Sequence, residues 1–388
     1  MPTPLITIVV PTRNRTELAV RAVRSVLAGT DARVEALVLE NSDTPVLTRG
    51  DFSGDERVTV LPADRPLSMH DNWERGLDAA RGEYIGYISD KDMFLAGALD
   101  RLMAILRDER PVVLNYRKPV YCAERRLLFS LPCRGGTMAV PTAPLLDAWF
   151  DQSQHLHYAP MIYNSLFRTD RVRAIRERAG RFFVGNSPDV CSGVLMAADT
   201  DHYTLVDEVL CLSHTGRWSN GYSSQSRGAV EGAFADFLRL YGRERFDALG
   251  LPICITSAIA ETLLACRDRH PGALGQRRIN WQRLVIGILE ELDALRCTPA
   301  ERRAALATLH SPASVVPPRA VRWGAIEQWL THYDSKRPPL SQVFHRGLSF
   351  ATRSLVPRQR HIGPWNPATD ATPEPVPTLD EALRCAAA

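Results

Sequence analysis

Two aspartates stand one residue apart, Asp90 and Asp92, directly after the apolar run Tyr84, Ile85, Tyr87 and Ile88. Side chains at i and i+2 of an extended segment point the same way. Two carboxylates aimed together at the exit of a strand suit a divalent cation that keeps open positions for phosphate oxygens. The carboxyl edge of an α/β sheet is where such sheets bind ligands. Lys91 lies between the pair and is one of only three lysines in 388 residues, with Lys118 and Lys336. Its place between two inward-facing neighbours sends it the other way, toward solvent or a helix; a flexible stem could instead bring its ammonium to the phosphates. A further carboxylate, Asp189, follows Pro188 and opens a helix-like run, where a first-turn acid is favoured.

The elements that must position these groups alternate. Leu5–Val10 is a short β-branched run closed by Pro11. Thr16 can cap a helix with Leu18, Ala22, Val23, Val26 and Leu27 on one face, and Gly29 stops it. Strands follow at Val34–Leu39 and Arg57–Leu61, then a helix around Trp73, Leu77 and Ala80, then the strand Tyr84–Ile88. A further helix carries Leu95, Leu99, Leu102, Met103 and Leu106. Alternating β and α elements predict a mostly parallel α/β sheet over residues 1–110. Residues 111–227 read as mixed, with strands at Val112–Tyr116, Val120–Cys122, Leu127–Leu131, Met161–Phe167 and Tyr203–Leu212, and a helix over 189–198. Residues 228–356 carry helical periodicity, and the proline-rich stretch 357–388 reads as a mobile tail.

Composition excludes several classes. The 47 basic and 44 acidic residues leave a net charge of +3, so global charge gives no reason to expect a nucleic-acid partner. The eight cysteines are scattered without CxxC or zinc-ligand spacing, as buried thiols of a reducing compartment would be. The N-terminus enters a strand without a signal-peptide pattern, and no apolar run is long enough to span a bilayer. The expectation is a cytoplasmic protein. Leu340, Val343, Phe344, Leu348, Ala351 and Leu355 form one face of a basic amphipathic stretch, which could rest on the inner face of a membrane but more often packs on its own domain or on a second subunit.

The first 95 residues resemble the inverting family 2 glycosyltransferases of GT-A fold, and the likeness extends more loosely to about residue 220. It rests on Val9-Val10-Pro11-Thr12-Arg13-Asn14-Arg15, on Val38-Leu39-Glu40-Asn41-Ser42, and on Asn72-Trp73, Gly76-Leu77, Ala80, Gly82-Glu83-Tyr84-Ile85 and Asp90 to Asp92. It implies a GT-A domain over 1–227 followed by a helical region, and transfer of a sugar from a nucleotide diphosphate, UDP above others, to an acceptor hydroxyl. It implies that Pro11, Thr12, Arg13, Arg15, Glu40, Asn72, Asp90, Lys91 and Arg217 contact the nucleotide sugar. Asp92 would bind a metal, Mn²⁺ or Mg²⁺, and Asp189 would act as general base on the acceptor side. In Ser213-His214-Thr215-Gly216-Arg217-Trp218-Ser219, where the family places a loop over the donor, His214 is a further metal or phosphate ligand. The implied acceptor is a glycan, a lipid carrier, a peptide or a small molecule, and the helical region could form a homodimer contact.

Lys91 departs from the family, which commonly carries a third carboxylate there. That departure favours a second reading, a degenerate member that binds a nucleotide sugar or a partner transferase without turnover. A sugar-1-phosphate nucleotidyltransferase shares the layout, but would need a glycine-rich loop after the first strand, and Pro11-Thr12-Arg13-Asn14-Arg15 has no glycine. His155, His157 and Tyr158 read as the rim of an acceptor pocket or as an ordinary loop.

Overall fold

The computed structural model describes residues 3–29, 31–130, 133–153, 160–216, 218–219, 233–241, 243–294, 297–336 and 372–387. Its main sheet has eight strands: β1 (Ile6–Thr12), β2 (Val34–Glu40), β3 (Val58–Pro62), β4 (Tyr84–Tyr87), β6 (Val113–Arg117), β9 (Thr137–Pro141), β10 (Ser165–Arg168) and β11 (His202–Val209). The order is β3-β2-β1-β4-β10-β6-β11-β9. Strands β3, β2, β1 and β4 pair in parallel, and β10 and β9 are the ones that run against their neighbours. Hence six of the eight strands share one direction, and their carboxyl ends share one edge. A smaller second sheet joins β5 (Met93–Phe94), β7 (Val120–Cys122), β8 (Leu127–Ser130), β12 (Cys211–Thr215) and β13 (Thr372–Pro375).

Burial explains why β1 reads as an unbroken apolar run. Val9 joins the core on one face of the sheet with Leu37, Trp73 and Phe183, whereas Ile6, Ile8 and Val10 join the core on the other with Val23, Leu102 and Leu166. A strand covered on both sides needs apolar side chains at both phases of its alternation. Helices α1 (Thr16–Leu27) and α3 (Ala98–Glu109) supply the second layer, and α2 (Met69–Ala79) packs in the first. Helices α4 (Thr142–Phe150) and α6 (Pro188–Ala198) extend that first layer, while α5 (Thr169–Ala179) follows β10.

The later helices divide: most of their buried residues join the first-layer core, while Leu238, Phe246 and Ala258 form a small cluster of their own. Helices α7 (Ala233–Tyr241), α8 (Arg243–Leu249), α9 (Ile255–Arg269), α10 (Pro271–Leu274), α11 (Trp281–Ala294), α12 (Pro299–Leu309) and α13 (Trp323–Lys336) follow in order. Leu263 of α9 and Leu289 of α11 belong to the same buried cluster as Val190 and Val194 of α6. The expected boundary at 227/228 falls outside the described residues, as do the amphipathic stretch Pro339–Val356 and the segment holding His155, His157 and Tyr158.

Three local readings change. The strand expected at Met161–Phe167 begins only at Ser165, because Ile162–Asn164 tightens into a 3₁₀ turn. Thr16 is the first residue of α1 rather than its cap, and Arg15 before it sends its side chain elsewhere. The tail expected to be mobile is ordered over 372–387: β13 pairs with β8, and helix α14 (Leu379–Ala387) follows. Proline is tolerated there because β13 is an edge strand, and Val376 and Ala382 bury against Tyr121, Leu128 and Leu212.

Candidate active site

The crevice opens where β1 and β4 part. Their pairing ends at Val9 and Tyr87, and Pro11, two residues on, has no N–H to continue a ladder. The loops after β1 and β2 then hold each other. Arg13 donates to the Asn41 carbonyl (2.8 Å) and to Asp43 (2.7 Å), and Asn14 donates to Asp43 (2.8 Å) from a left-handed backbone with φ of 55°. Asn41 exchanges bonds with the backbone of Leu67, so the loop before α2 is tied in as well. Glu40 is fully buried and accepts from the N–H groups of Ser42 (3.0 Å) and Leu47 (3.3 Å), which shapes its own loop. Asn72 on α2 is buried and accepts from Arg75 (3.0 Å).

Asp90 and Asp92 are both buried at the end of β4, but in different company. Asp90 accepts from Thr12 Oγ1 (2.9 Å) and Arg15 Nε (2.7 Å), and Arg15 also donates to the Trp218 carbonyl (2.8 Å). Asp92 accepts from Lys118 Nζ (2.9 Å) and Ser213 Oγ (3.0 Å), with Lys91 Nζ 3.8 Å away. Lys91 does not turn to solvent: it donates to Ser89 Oγ (2.9 Å) and stays partly buried. The meeting of Ser213 with Asp92 is built by β5, whose Met93 pairs with Leu212 of β12. Burial pushes Asp92 up, but the ammoniums of Lys118 and Lys91 outweigh it and hold the carboxyl below its ordinary range. For Lys118 burial acts downward and Asp92 overcomes it; for Lys91 burial wins and the ammonium is held below its usual value.

Asp189 lies in the first turn of α6, with Ser187 as N-cap and Pro188 at the first helical position. Burial pushes its carboxyl up, opposed but not overcome by the Val190 and Asp189 N–H groups and the ammoniums of Lys118 and Lys91. Tyr163 lies within electrostatic reach of both Asp189 and the strand-end carboxylates. Lys118 Nζ sits 5.2 Å from its ring centre, and its hydroxyl is driven well up by burial and by the charges of Asp189, Asp92 and Asp90. The loop that delivers Asp189 is braced from two helices. Glu74 of α2 accepts from Phe182 and Phe183 N–H, both at 2.8 Å, and His70 bonds the Gly185 carbonyl. From α9, Glu261 accepts the Asn186 N–H (2.5 Å) and Thr262 the Ser187 N–H (2.9 Å). Gly185 has φ of 77°, and a Cβ there would come within 2.5 Å of Thr262. Only glycine meets both demands.

The described side chains suit a divalent cation poorly. Among the described residues no group of three His, Cys, Asp or Glu could hold a metal ion. Ser213 and His214 are consecutive on β12, so their side chains leave opposite faces. Ser213 takes the Asp92 side, whereas His214 packs between Tyr121 (5.8 Å) and Trp218 (5.2 Å). Burial, then Lys91 and Arg21, lowers the His214 imidazole to about 4. A dication on Asp92 would share its carboxylate with two ammoniums and meet their repulsion. Arg217 lies outside the described residues. The residues brought together are therefore Thr12, Arg15, Asp90, Lys91 and Asp92, with Lys118, Tyr163 and Ser213 joining them without having been singled out for this site. Lysine scarcity was a signal that could have found Lys118.

Residues 7–165 match the family model described as glycosyl transferase family 2. That match spans about two fifths of the chain, so the stretch is similar to family 2 glycosyltransferases. It includes β1 and β4, whose carboxyl ends carry the candidate site. A curated relative, the GalNAc(5)-diNAcBac-PP-undecaprenol beta-1,3-glucosyltransferase of Campylobacter jejuni, is 30% identical over 104 residues, which span 26% of this chain and 34% of that protein. Among solved structures, S. aureus TarS 1-349 in complex with UDP-GlcNAc is similar at 13% identity and a TM-score of 0.43, covering 84% of this chain and 92% of that one. The mannosyltransferase PcManGT from Pyrobaculum calidifontis, in complex with GDP-Man and Mn²⁺, is similar at 13% identity and a TM-score of 0.41, covering 92% and 88%. Among the described residues no helix is long and apolar enough to cross a membrane.

Proposed function

We propose that this protein transfers a sugar from a nucleotide diphosphate donor, with UDP the preferred carrier, to an acceptor hydroxyl with inversion at the anomeric carbon. The observation that carries this reading is the separation of charges in the crevice. Cations and two carboxylates gather at the strand ends, and Asp189, a carboxylate with a raised pKa on a different element, lies within electrostatic reach of Lys118 and Tyr163. Inverting displacement asks for that division: one side stabilises the departing diphosphate while the other takes the proton of the incoming hydroxyl. Thr12, Arg15 and Asp90 serve the donor, with Pro11, Arg13, Glu40 and Asn72 shaping the nucleotide pocket around them. Asp189 serves the acceptor. Its raised pKa moves it toward the range in which a carboxylate is an effective base near neutrality. The acceptor classes are a glycan, including one carried on a lipid diphosphate as in the Campylobacter jejuni relative's name, or a smaller hydroxyl compound.

The test is a panel of UDP-, GDP- and dTDP-sugars read by thermal stabilisation and by release of the nucleoside diphosphate. One donor class should raise the melting temperature by mass action. If none binds, with or without Mn²⁺ or Mg²⁺, the reading fails.

A further inference from the structure

Asp92 is reached by two lysines in a chain that has three. Lys118 lies 2.9 Å and Lys91 3.8 Å from its oxygens. Ion pairs elsewhere in the chain, such as Arg15 on Asp90, Arg117 on Asp207 and Arg101 on Glu208, use arginine. Two of the chain's three lysines thus meet at this site, where a compact ammonium on a flexible stem differs most from a planar guanidinium. Two ammoniums crowd one buried carboxylate, although one would neutralise it. Counting Arg15, Lys91 and Lys118 against Asp90 and Asp92, the strand-end cluster holds one positive charge in excess. Both lysine side chains keep a little exposure, 16% and 15%, at the crevice where β1 and β4 part. A cation surplus at the carboxyl edge of a parallel sheet asks for a polyanion, and a diphosphate brings at least two negative charges.

We propose that Lys91 and Lys118 together bind the donor's diphosphate and do there what a divalent cation does elsewhere, so that donor binding and transfer proceed without added metal. This rests on the reading of the protein as a sugar transferase. The acceptor oxygen forms its bond to the anomeric carbon as the bond from that carbon to the β-phosphate oxygen breaks. The electron pair stays on the phosphate oxygen, beside the two ammoniums, and the hydroxyl proton passes to Asp189. Asp92 then positions the ammoniums rather than a metal, with Ser213 fixing its other oxygen.

The experiment titrates UDP, GDP and dTDP, and the matching monophosphates, into the purified protein by calorimetry, in EDTA and in Mn²⁺. The nucleoside diphosphate that binds should do so with an affinity that differs less than about tenfold between the two conditions. Lys91→Met and Lys118→Met should each weaken that diphosphate about tenfold or more, as the loss of a charged hydrogen bond does, and change the monophosphate far less. Lys118→Arg should recover part of the loss, and thermal unfolding reports whether each variant is folded. If Lys118→Met does not fold, Lys91→Met and Lys118→Arg carry the test. A tenfold or greater loss of wild-type affinity in EDTA overturns the proposal, and so does diphosphate binding unchanged in the folded lysine variants. If no nucleoside diphosphate binds in either condition, it is the transferase reading itself that falls.

Discussion

On the β1–β4 side of the crevice, neighbouring strand ends hold one another. Thr12 and Arg15 clasp Asp90, and Arg13 and Asn14 clasp Asp43. On the facing side, Asp189 is held through its backbone. Its loop hangs between Glu74 on α2 and Glu261 and Thr262 on α9, residues separated from it by 72 or more positions in the chain. The first side fixes charges by direct pairing. The second leaves one carboxylate without a cation partner at hydrogen-bond distance among the described residues and fixes only its position. That difference suits a site in which one group must stay ionised and another must take a proton.

The largest stability effect should come from breaking the donor-side clasp. Arg15→Ala leaves the buried Asp90 with Thr12 as its main donor and should cost roughly 3 kcal/mol, as an uncompensated buried charge does. Urea unfolding measures it, and a change under about 0.5 kcal/mol would show that the clasp is not structural. A smaller effect of opposite sign is expected in the helical region. Burial pushes Glu290 of α11 up to about 7. Its folded pKa lies above the unfolded value of 4.5, so its contribution is full below pH 4.5 and is lost as pH rises through about 7. Glu290→Gln should therefore stabilise the protein at pH 8, by roughly 2 kcal/mol after allowing for its partial exposure, and leave it unchanged at pH 4. A melting-temperature gain of the same size at both pH values would contradict this. The smallest effect separates position from charge on the acceptor side. Glu261→Gln should lower kcat by roughly three- to tenfold, the scale of one weakened hydrogen bond, while donor KM holds. A rise in donor KM with kcat intact would place Glu261 on the wrong side of the comparison.

The β1–β4 side was legible in the sequence because it is local. Each parallel strand carries its own apolar run, each loop follows its strand, and Asp90, Lys91 and Asp92 lie within one short segment. The facing side depends on contacts that no local pattern encodes. Ser213 reaches Asp92 through a two-residue pairing of β5 with β12, and Lys118 arrives from a turn between β6 and β7. Tyr163 lies in a 3₁₀ turn inside what reads as strand, and Glu261 sits in a helix whose periodicity announces only burial. The direction of Lys91 was misjudged for a related reason. Alternation holds within a strand, but β4 ends at Tyr87, and in the turn beyond it the Asp92 N–H bonds the Ser89 carbonyl (2.9 Å) and Lys91 folds back onto Ser89.

The division of the crevice into a donor side and an acceptor side is tested most directly by Asp189→Asn, with donor binding and transfer measured on the same preparation. The account predicts a donor affinity within about threefold of wild type and a transfer rate reduced by a factor of about 10² to 10⁴. It also predicts that the wild-type rate rises with pH through a pKa above the ordinary carboxylate range, since burial raises Asp189 and a base must be ionised. Transfer at the wild-type rate in Asp189→Asn would contradict the account, and so would a loss of donor binding that accounts for the whole loss of activity.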